Sequence, residues 1–268
     1  MIHPTAIIHP QATISTDCQI GPYVVIDAHV SMDTGCRVGP HVYLTGHTTI
    51  GKNNRFHAGC VIGDEPQDLK YSGANTRLII GNENIFREHV TVQRSNQLAE
   101  HTEVGSNNLL MANAHVGHNT RVGNHVIIAN GVLLAGHVTV EDRVFISGNC
   151  LVHQFVRIGT LALMQGGAAI SKDLPPFTIA RGDNSICGLN SIGLRRAGLS
   201  SAERLELRRL YQALFRRGVS PRKACETLKF NDPGKYGAHL LDFINSSKRG
   251  VCVDVSKRRH LDEPLAEA

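Results

Sequence analysis

The 268-residue sequence contains no tryptophan, and aromatic residues make up only 5% of it. A chain of this length can bury a large core, so aliphatic side chains must fill that core. No secretory leader pattern opens the chain, and no apolar run approaches membrane-spanning length, so we expect a cytoplasmic protein without a transmembrane segment. The seven cysteines form no Cys-x-x-Cys pair, which argues against a disulfide or zinc framework.

What the sequence does contain is one aliphatic position in every six. From Ile2 to Ile170, nearly every residue whose number leaves a remainder of two on division by six is apolar, and Asp68 and Ala74 are the outright exceptions. An α-helix does not keep one phase over so many residues, and neither do strands joined by irregular turns. A solenoid of hexapeptide repeats does. Three hexapeptides would form one coil, so residues eighteen apart should stack.

A second column supports this interpretation. Four residues after the aliphatic position lies a small or β-branched residue, as at Ala114, Val126 and Cys150. Gly often follows the aliphatic residue, as at Gly117 and Gly123, and we expect it to supply the unusual backbone angles of a corner. The pattern resembles the left-handed parallel β-helix of hexapeptide-repeat proteins, and the left hand is taken from that resemblance. The predicted fold is therefore an all-β left-handed parallel β-helix with a small C-terminal α-helical domain.

The domain limits follow from where the six-residue phase is interrupted. It ends at Pro175-Pro176, so we predict a β-helix over residues 1–176, with loop excursions near 64–77 and 94–103. A connecting segment is predicted over 177–197. Ser200 and Glu203 have capping-box spacing, and we predict a helical domain over 198–268.

The positive charge is concentrated in this tail. Between Arg195 and Lys223 there are nine basic residues and only two acidic ones, Glu203 and Glu206. Such a run is typical of a solvated helix face, but it also suits docking of a phosphate-bearing ligand or an acidic protein. Nucleic acid fits less well, because no aromatic residues are interleaved for base stacking.

A cluster of histidines is the main chemical signal. His115, His118, His137 and Gln154 fall in adjacent coils, and Gln154 lies two coils beyond His118. Stacking would bring them to one edge of the prism, where an imidazole could act as a general base on a hydroxyl or amine acceptor. An ordinary surface histidine is the alternative. Three histidines resemble the zinc site of trimeric β-helix carbonic anhydrases, but the pair five residues apart in that family is missing here, so we expect no metal.

Five segments, in order along the chain, are more specific than the repeat. They are Gln67-Asp68-Leu69-Lys70-Tyr71, the run from Asn108 to His118, Leu134-Ala135-Gly136-His137, Val152-His153-Gln154-Phe155 and Asp173-Leu174-Pro175-Pro176. Together they resemble the acyl-[acyl carrier protein]–UDP-N-acetylglucosamine O-acyltransferases that begin lipid A synthesis, within the hexapeptide-repeat acyltransferase superfamily. The resemblance covers essentially the whole chain. It implies an enzyme that transfers a (3-hydroxy)acyl chain to the sugar 3-position with no cofactor.

The resemblance also assigns the central roles. His118 would be the catalytic base that deprotonates the sugar 3-hydroxyl, and the amide of Gly136 would stabilise the thioester oxyanion. Asp68 and Lys70 would hold the sugar and its phosphates, reaching in from the neighbouring subunit of a homotrimer.

The remaining assignments lie along the substrate path. His115, His137 and Gln154 would line the sugar-nucleotide and pantetheine groove. Asn190 and Arg196 would contact the nucleotide end. Gly166 would limit acyl length, and its missing side chain leaves room for a long chain. The basic tail would meet the acidic acyl carrier protein.

Departures from the family pattern bear on the acceptor. Gln93 stands where His is frequent, Asn119 follows the predicted base where Asp is common, and Ile192 takes an acidic position. The alternatives are N-acylation of a 3-amino UDP-sugar and another hexapeptide sugar acyl- or acetyltransferase. A non-catalytic β-helix scaffold would need neither the loop at Gln67 nor the histidines.

Overall fold

The computed structural model describes residues 1–228 and 232–254, and most of its strands are only two residues long. The first fourteen are β1 (Ile7–Ile8), β2 (Thr13–Ile14), β3 (Gln19–Ile20), β4 (Val25–Ile26), β5 (Ser31–Met32), β6 (Arg37–Val38), β7 (Tyr43–Leu44), β8 (His47–Ile50), β9 (Arg55–Phe56), β10 (Val61–Asp64), β11 (Arg77–Ile80), β12 (Ile85–Phe86), β13 (Thr91–Gln93) and β14 (His101–Val104). The later strands are β15 (Leu109–Leu110), β16 (His115–Val116), β17 (Arg121–Val122), β18 (Ile127–Ile128), β19 (Leu133–Leu134), β20 (Thr139–Val140), β21 (Phe145–Ile146), β22 (Leu151–Val152), β23 (Arg157–Ile158), β24 (Leu163–Met164), β25 (Ala169–Ile170), β26 (Thr178–Ala180), β27 (Ser185–Leu189) and β28 (Val253–Asp254).

Every third strand belongs to the same sheet, so the described residues form three sheets around one prism. Sheet 1 contains β1, β4, β7, β10, β13, β16, β19, β22 and β25. Sheet 2 contains β2, β5, β8, β11, β14, β17, β20 and β23. Sheet 3 contains β3, β6, β9, β12, β15, β18, β21 and β24, and β26, β27 and β28 extend it. The coils pair in parallel, and the predicted left-handed parallel β-helix is confirmed.

Strand register shows how the excursions are accommodated. In regular coils the partners are eighteen residues apart, as for Ile7 and Val25. They are thirty apart between Val61 and Thr91, and twenty-four apart between Thr91 and His115. Both extra lengths are multiples of six, so the aliphatic phase is the same before and after each loop. These loops comprise residues 65–76 and 94–100.

The interior is mostly aliphatic. Outside the two excursion loops, the predicted column is buried from Ile20 to Ile170, and Phe56 and Phe86 stack within it with ring centroids 4.8 Å apart. Three asparagines, Asn54, Asn84 and Asn108, are buried where the pattern otherwise has small apolar residues. Their side chains hydrogen-bond to one another's backbone or side-chain amides in successive coils, which compensates for their burial.

The corners differ from the sequence expectation. Positive φ angles fall two residues after the corner glycine, at residues such as Asn119, His125 and Leu161. Gly117 is required for another reason, because a Cβ there would lie 2.8 Å from the backbone of Ala135 and Gly136. The glycine therefore permits close stacking of coils, and the prediction that it supplies the corner's backbone angles was wrong.

The tail begins before the predicted helical domain. The predicted connecting segment contains β26, which pairs with β24 of sheet 3, then β27 and the helix α1 (Ser191–Arg196). Three more helices follow: α2 (Ser201–Phe215), α3 (Pro221–Thr227) and α4 (Lys235–Ser246). Ser200 and Glu203 form the predicted capping box of α2. Within the predicted helical domain, residues 229–231 and 255–268 lie outside the described residues.

Helix α4 packs against the last coils. His239 Nε2 lies 2.8 Å from Glu141 Oε2, and the Arg157 guanidinium lies 4.2 Å from the centroid of the Phe243 ring. The tail is thus attached through both polar and aromatic contacts. In the part of the chain that the structure describes, no helix combines the length and apolarity needed to cross a bilayer.

Candidate active site

A groove of about 680 Å³ runs along the corners that connect sheet 1 to sheet 2. These corners, residues 117–120, 135–138 and 153–156, stack directly on one another because each coil adds eighteen residues. Four predicted site residues, His115, His118, Gly136 and Gln154, line the groove. The coil geometry thus brings together residues that are far apart in the sequence.

His118 is buried, and Asn119 fixes its tautomer. Its Nδ1 lies 2.9 Å from Asn119 Oδ1. The backbone N–H of Asn96 also donates to that oxygen, at 3.0 Å, so the amide oxygen must face His118. An amide oxygen can only accept, so His118 carries a hydrogen on Nδ1, and in the neutral ring the lone pair is on Nε2. A histidine in this tautomer can receive a proton through Nε2.

The nitrogen of the Asn119 amide confirms the same orientation. Asn119 Nδ2 donates to Ser95 Oγ at 2.9 Å and to Glu100 Oε2 at 2.5 Å. A carboxylate can only accept, so a flipped amide would place two acceptors together. Asn119 stands where the family pattern has an Asp that could orient the imidazole. In the structure, the amide orients the ring and a carboxylate lies behind the amide.

Gly136 lies beside the basic nitrogen of His118. A Cβ built on Gly136 would lie 2.6 Å from His118 Nε2 and Cε1, so only glycine leaves this space. The Gly136 amide donates to no other group in the described residues, whereas its carbonyl accepts from Phe155. A base and an unpaired N–H donor therefore adjoin one open volume, which is the arrangement that acyl transfer requires.

Asp68 connects the first excursion to this site. Its carboxylate accepts from the Asn96 side chain at 2.7 Å and from the Lys70 amide at 3.0 Å. The Lys70 amide first, then the Asn96 side chain and a smaller contribution from His118, hold the Asp68 pKa below its usual range. Asp68 thus lies near the His118 of its own chain, whereas the resemblance implied a loop reaching in from the neighbouring subunit. Lys70 is exposed.

The other two histidines are held in the neutral form. Burial, and then the proximity of His118, lower the pKa of His115 and of His137, although Glu100 and Asp68 oppose this at His137. Thr91 Oγ1 lies 2.7 Å from His115 Nδ1, and Phe155 stacks on His137 with centroids 4.6 Å apart. Among the described residues, no three His, Cys, Asp or Glu side chains are grouped as metal ligands would be.

Three predicted site residues lie elsewhere in the chain. Gly166 is on a corner between sheet 3 and sheet 1, and a Cβ there would meet no atom closer than 3.5 Å. Asn190 is buried as the N-cap of α1, where it accepts from Gly193 and donates to the Leu161 carbonyl. Arg196 is exposed at the end of α1. None of the three lines the groove beside His118 in a single chain.

Sequence reasoning missed Ser95, Asn96, Glu100 and Thr91, all of which contact predicted site residues or Asn119. The contact of Thr91 could have been predicted from spacing. Thr91 is twenty-four residues before His115, which is the length of one coil of eighteen residues plus the six residues added by the second excursion. The loop residues follow no phase, so nothing in the sequence pairs them with Asn119.

A basic surface lies on α2. Four arginines surround a shallow depression there: Arg208 and Arg209 on the helix, and Arg216 and Arg217 directly after its end. Arg216 pairs with the buried Asp254 at 2.7 Å, which leaves three guanidinium groups at the surface without an ion pair to another described residue.

Comparison with known proteins gives consistent matches. The profile of the family described as "Udp N-acetylglucosamine O-acyltransferase; Domain 2" matches residues 173–252, and that of "Bacterial transferase hexapeptide (six repeats)" matches residues 101–136. An acyl-[acyl-carrier-protein]–UDP-N-acetylglucosamine O-acyltransferase from Myxococcus xanthus is 43% identical, over 93% of this chain and 98% of its own.

Solved structures agree with the sequence matches. The UDP-N-acetylglucosamine acyltransferase of Francisella novicida superposes with a TM-score of 0.92 at 34% identity, and the alignment covers 100% of both chains. The corresponding protein of Acinetobacter baumannii gives a TM-score of 0.89 at 38% identity, over 93% of this chain and 98% of that one.

Proposed function

This chain belongs to the acyl-[acyl-carrier-protein]–UDP-N-acetylglucosamine O-acyltransferase family, and from that membership we propose how its residues perform the reaction. It is an acyltransferase that moves a (3-hydroxy)acyl chain from acyl carrier protein to the 3-hydroxyl of UDP-N-acetylglucosamine, the first step of lipid A biosynthesis. The observation that carries the mechanism is the free lone pair of His118 Nε2 beside the unpaired Gly136 amide.

The transfer needs one proton acceptor and one oxyanion donor. His118 Nε2 takes the 3-hydroxyl proton while the hydroxyl oxygen bonds to the thioester carbonyl carbon. The N–H of Gly136 stabilises the oxyanion that forms. When the carbonyl is restored, the carbon–sulfur bond breaks, and the carrier's thiolate takes the proton from His118.

The groove supplies neutral and charged contacts for the acceptor. We propose that Asp68 and the two neutral histidines, His115 and His137, hydrogen-bond the sugar. The cation of Lys70 would then lie near its phosphates. Gln154 extends the same groove by one coil. Along it, Leu133 and Leu151 point outward and are 46% and 48% exposed, which suits the pantetheine arm or acyl chain.

The outer faces of the prism support a homotrimer with sites between subunits. In its later coils, sheet 3 presents Leu109, Ile127, Phe145 and Leu163 outward, and sheet 1 presents the leucines of the groove. Sheet 2 instead presents polar residues such as Arg121 and Arg157. Two apolar surfaces beside one polar face suit three copies around an axis, because each copy then contacts a neighbour on two sides.

The excursion loops and the distant site residues fit the same assembly. Leu69 and Leu98, at the two loop tips, are 107% and 65% exposed, so each has apolar surface to bury against a neighbour. In a trimer, Gly166, Asn190 and Arg196 would complete the groove of an adjacent copy. Gly166 would then face the acyl chain, as the resemblance implies.

The basic surface of α2 is the proposed dock for acyl carrier protein, which is acidic. A cytoplasmic location, shared with that carrier, stays a prediction.

The direct test is an acyl-transfer assay with hydroxyacyl carrier proteins of graded chain length. UDP-N-acetylglucosamine and its 3-amino analogue would be used in parallel. We expect turnover with the 3-hydroxy acceptor and a maximum at one long chain length. Turnover with the 3-amino analogue alone would replace O-transfer by N-transfer, and no turnover with either acceptor would contradict the proposal.

A further inference from the structure

The Asn119 amide has all four of its hydrogen-bonding positions occupied by protein. Its oxygen faces the Asn96 amide and His118 Nδ1, and its nitrogen donates to Ser95 Oγ and Glu100 Oε2. An asparagine amide can make no further strong hydrogen bond. Its position between His118 and Glu100 is therefore fixed in both directions.

The amide orients the imidazole but contributes no charge. When His118 Nε2 accepts a proton, the ring becomes a cation in a buried position, and a nearby anion stabilises it. Glu100 provides that anion through the amide, and its Oε2 also lies 3.9 Å from His137 Nδ1. Asp68 is the other carboxylate nearby, but it contacts the Asn96 side chain and not Asn119.

We propose that Glu100 is a positioning residue of the transfer, which fixes the Asn119 amide and supplies the negative charge that balances the protonated His118. This inference rests on the proposed function, in which His118 is the base. It also accounts for an uncharged residue next to the base, because the charge lies one hydrogen bond further away.

A charge exchange between the two positions tests the proposal. Glu100→Gln keeps an acceptor for the Asn119 amide and removes the charge. Asn119→Asp places a carboxylate against His118. It also places that carboxylate against Glu100, because Asn119 Nδ2 and Glu100 Oε2 are 2.5 Å apart in the parent protein, and the two like charges repel. When both substitutions are combined, the new amide at position 100 would donate to the new carboxylate at position 119, so one anion and one amide are again paired.

The measurement is kcat and KM for all four proteins with hydroxyacyl carrier protein and UDP-N-acetylglucosamine. We expect kcat to fall at least about tenfold in each single variant while the acceptor KM stays within about twofold. The double variant should recover to within about threefold of the parent kcat. Glu100 is 44% exposed on a loop, so Glu100→Gln should fold, and its unfolding temperature checks this.

Two outcomes overturn the proposal: a parental kcat in Glu100→Gln, or a double variant no faster than Glu100→Gln. His118→Ala in the same assay distinguishes failure of this inference from failure of the proposed function. Loss of activity in His118→Ala with full activity in Glu100→Gln overturns this inference alone, whereas an active His118→Ala overturns the proposed function as well.

Discussion

The imidazole of His118 occupies the space that a side chain on Gly136 would fill, since a Cβ there would lie 2.6 Å from Nε2. Gly136→Ala must therefore displace the ring or shift the coil that carries it. We expect kcat to fall about 100-fold or more, because both the base and the oxyanion donor move. Steady-state kinetics would measure this, and the unfolding temperature would show that the β-helix persists. A fully active Gly136→Ala would show that the reaction does not depend on this glycine.

Reversing charge on α2 should weaken carrier binding without affecting the acceptor. For Arg208→Glu combined with Arg209→Glu, we expect KM for acyl carrier protein to rise about tenfold or more. At high salt this increase in KM should be smaller, because salt screens the charges. The acceptor KM should not change. Arg222→Glu is the matched control, because Arg222 is an exposed basic residue of α3 that pairs with Glu226. Equal effects of the control and the double variant would refute a specific dock.

The contact between His239 and Glu141 makes attachment of α4 dependent on pH. The hydrogen bond to Glu141 raises the pKa of His239, although burial opposes it. Burial raises the pKa of Glu141, but hydrogen bonds from His239 and Thr160 outweigh it and leave that pKa lowered. The histidine's contribution to stability is therefore complete below about pH 6.5 and is lost as pH rises through its raised pKa. The carboxylate's contribution is present above about pH 4.3 and is lost as pH falls through its lowered pKa.

His239→Gln removes the titrating charge and keeps a hydrogen-bond donor. We expect it to cost about 0.5–1 kcal/mol near pH 6, since the pair is partly exposed, and almost nothing near pH 9. Unfolding temperatures of both proteins across this range give the comparison. A difference that is constant or grows with pH would contradict the assigned contact.

The buried asparagines should matter more for stability than any surface amide. In Asn84→Ala, the Asn108 amide and the Gly105 carbonyl both lose a buried hydrogen-bond partner. We expect a loss of about 2–5 kcal/mol, measured by denaturant unfolding. The control is Asn82→Ala, an exposed position whose side chain accepts from Lys52, and a loss below about 1 kcal/mol is expected there. Similar losses at both positions would count against this assignment.

The sequence predicts the scaffold well because one physical constraint repeats. The six-residue phase places His118, Gly136 and Gln154 on adjacent corners, since each coil adds the same number of residues. The stacking of the buried asparagines could also have been predicted from the sequence. Asn54, Asn84 and Asn108 are separated by the same intervals as the strands that span the excursions.

Other parts of the site could not be predicted from the repeat. Glu100 and Asn96 reach Asn119 from a loop, and loop conformation depends on contacts that carry no period. The assignments of Gly166 and Asn190 come from family resemblance, because these residues lie away from the groove in one chain. Only in the proposed trimer would a second copy bring them to it.

The central claim is that His118 Nε2 receives the acceptor proton. The most direct measurement is the single-turnover rate of acyl transfer in His118→Ala, with hydroxyacyl carrier protein and UDP-N-acetylglucosamine at saturating concentrations. We expect a rate lower by about 100-fold to 10,000-fold with acceptor binding retained. A rate within about twofold of the parent protein would contradict the assignment of His118 as the base.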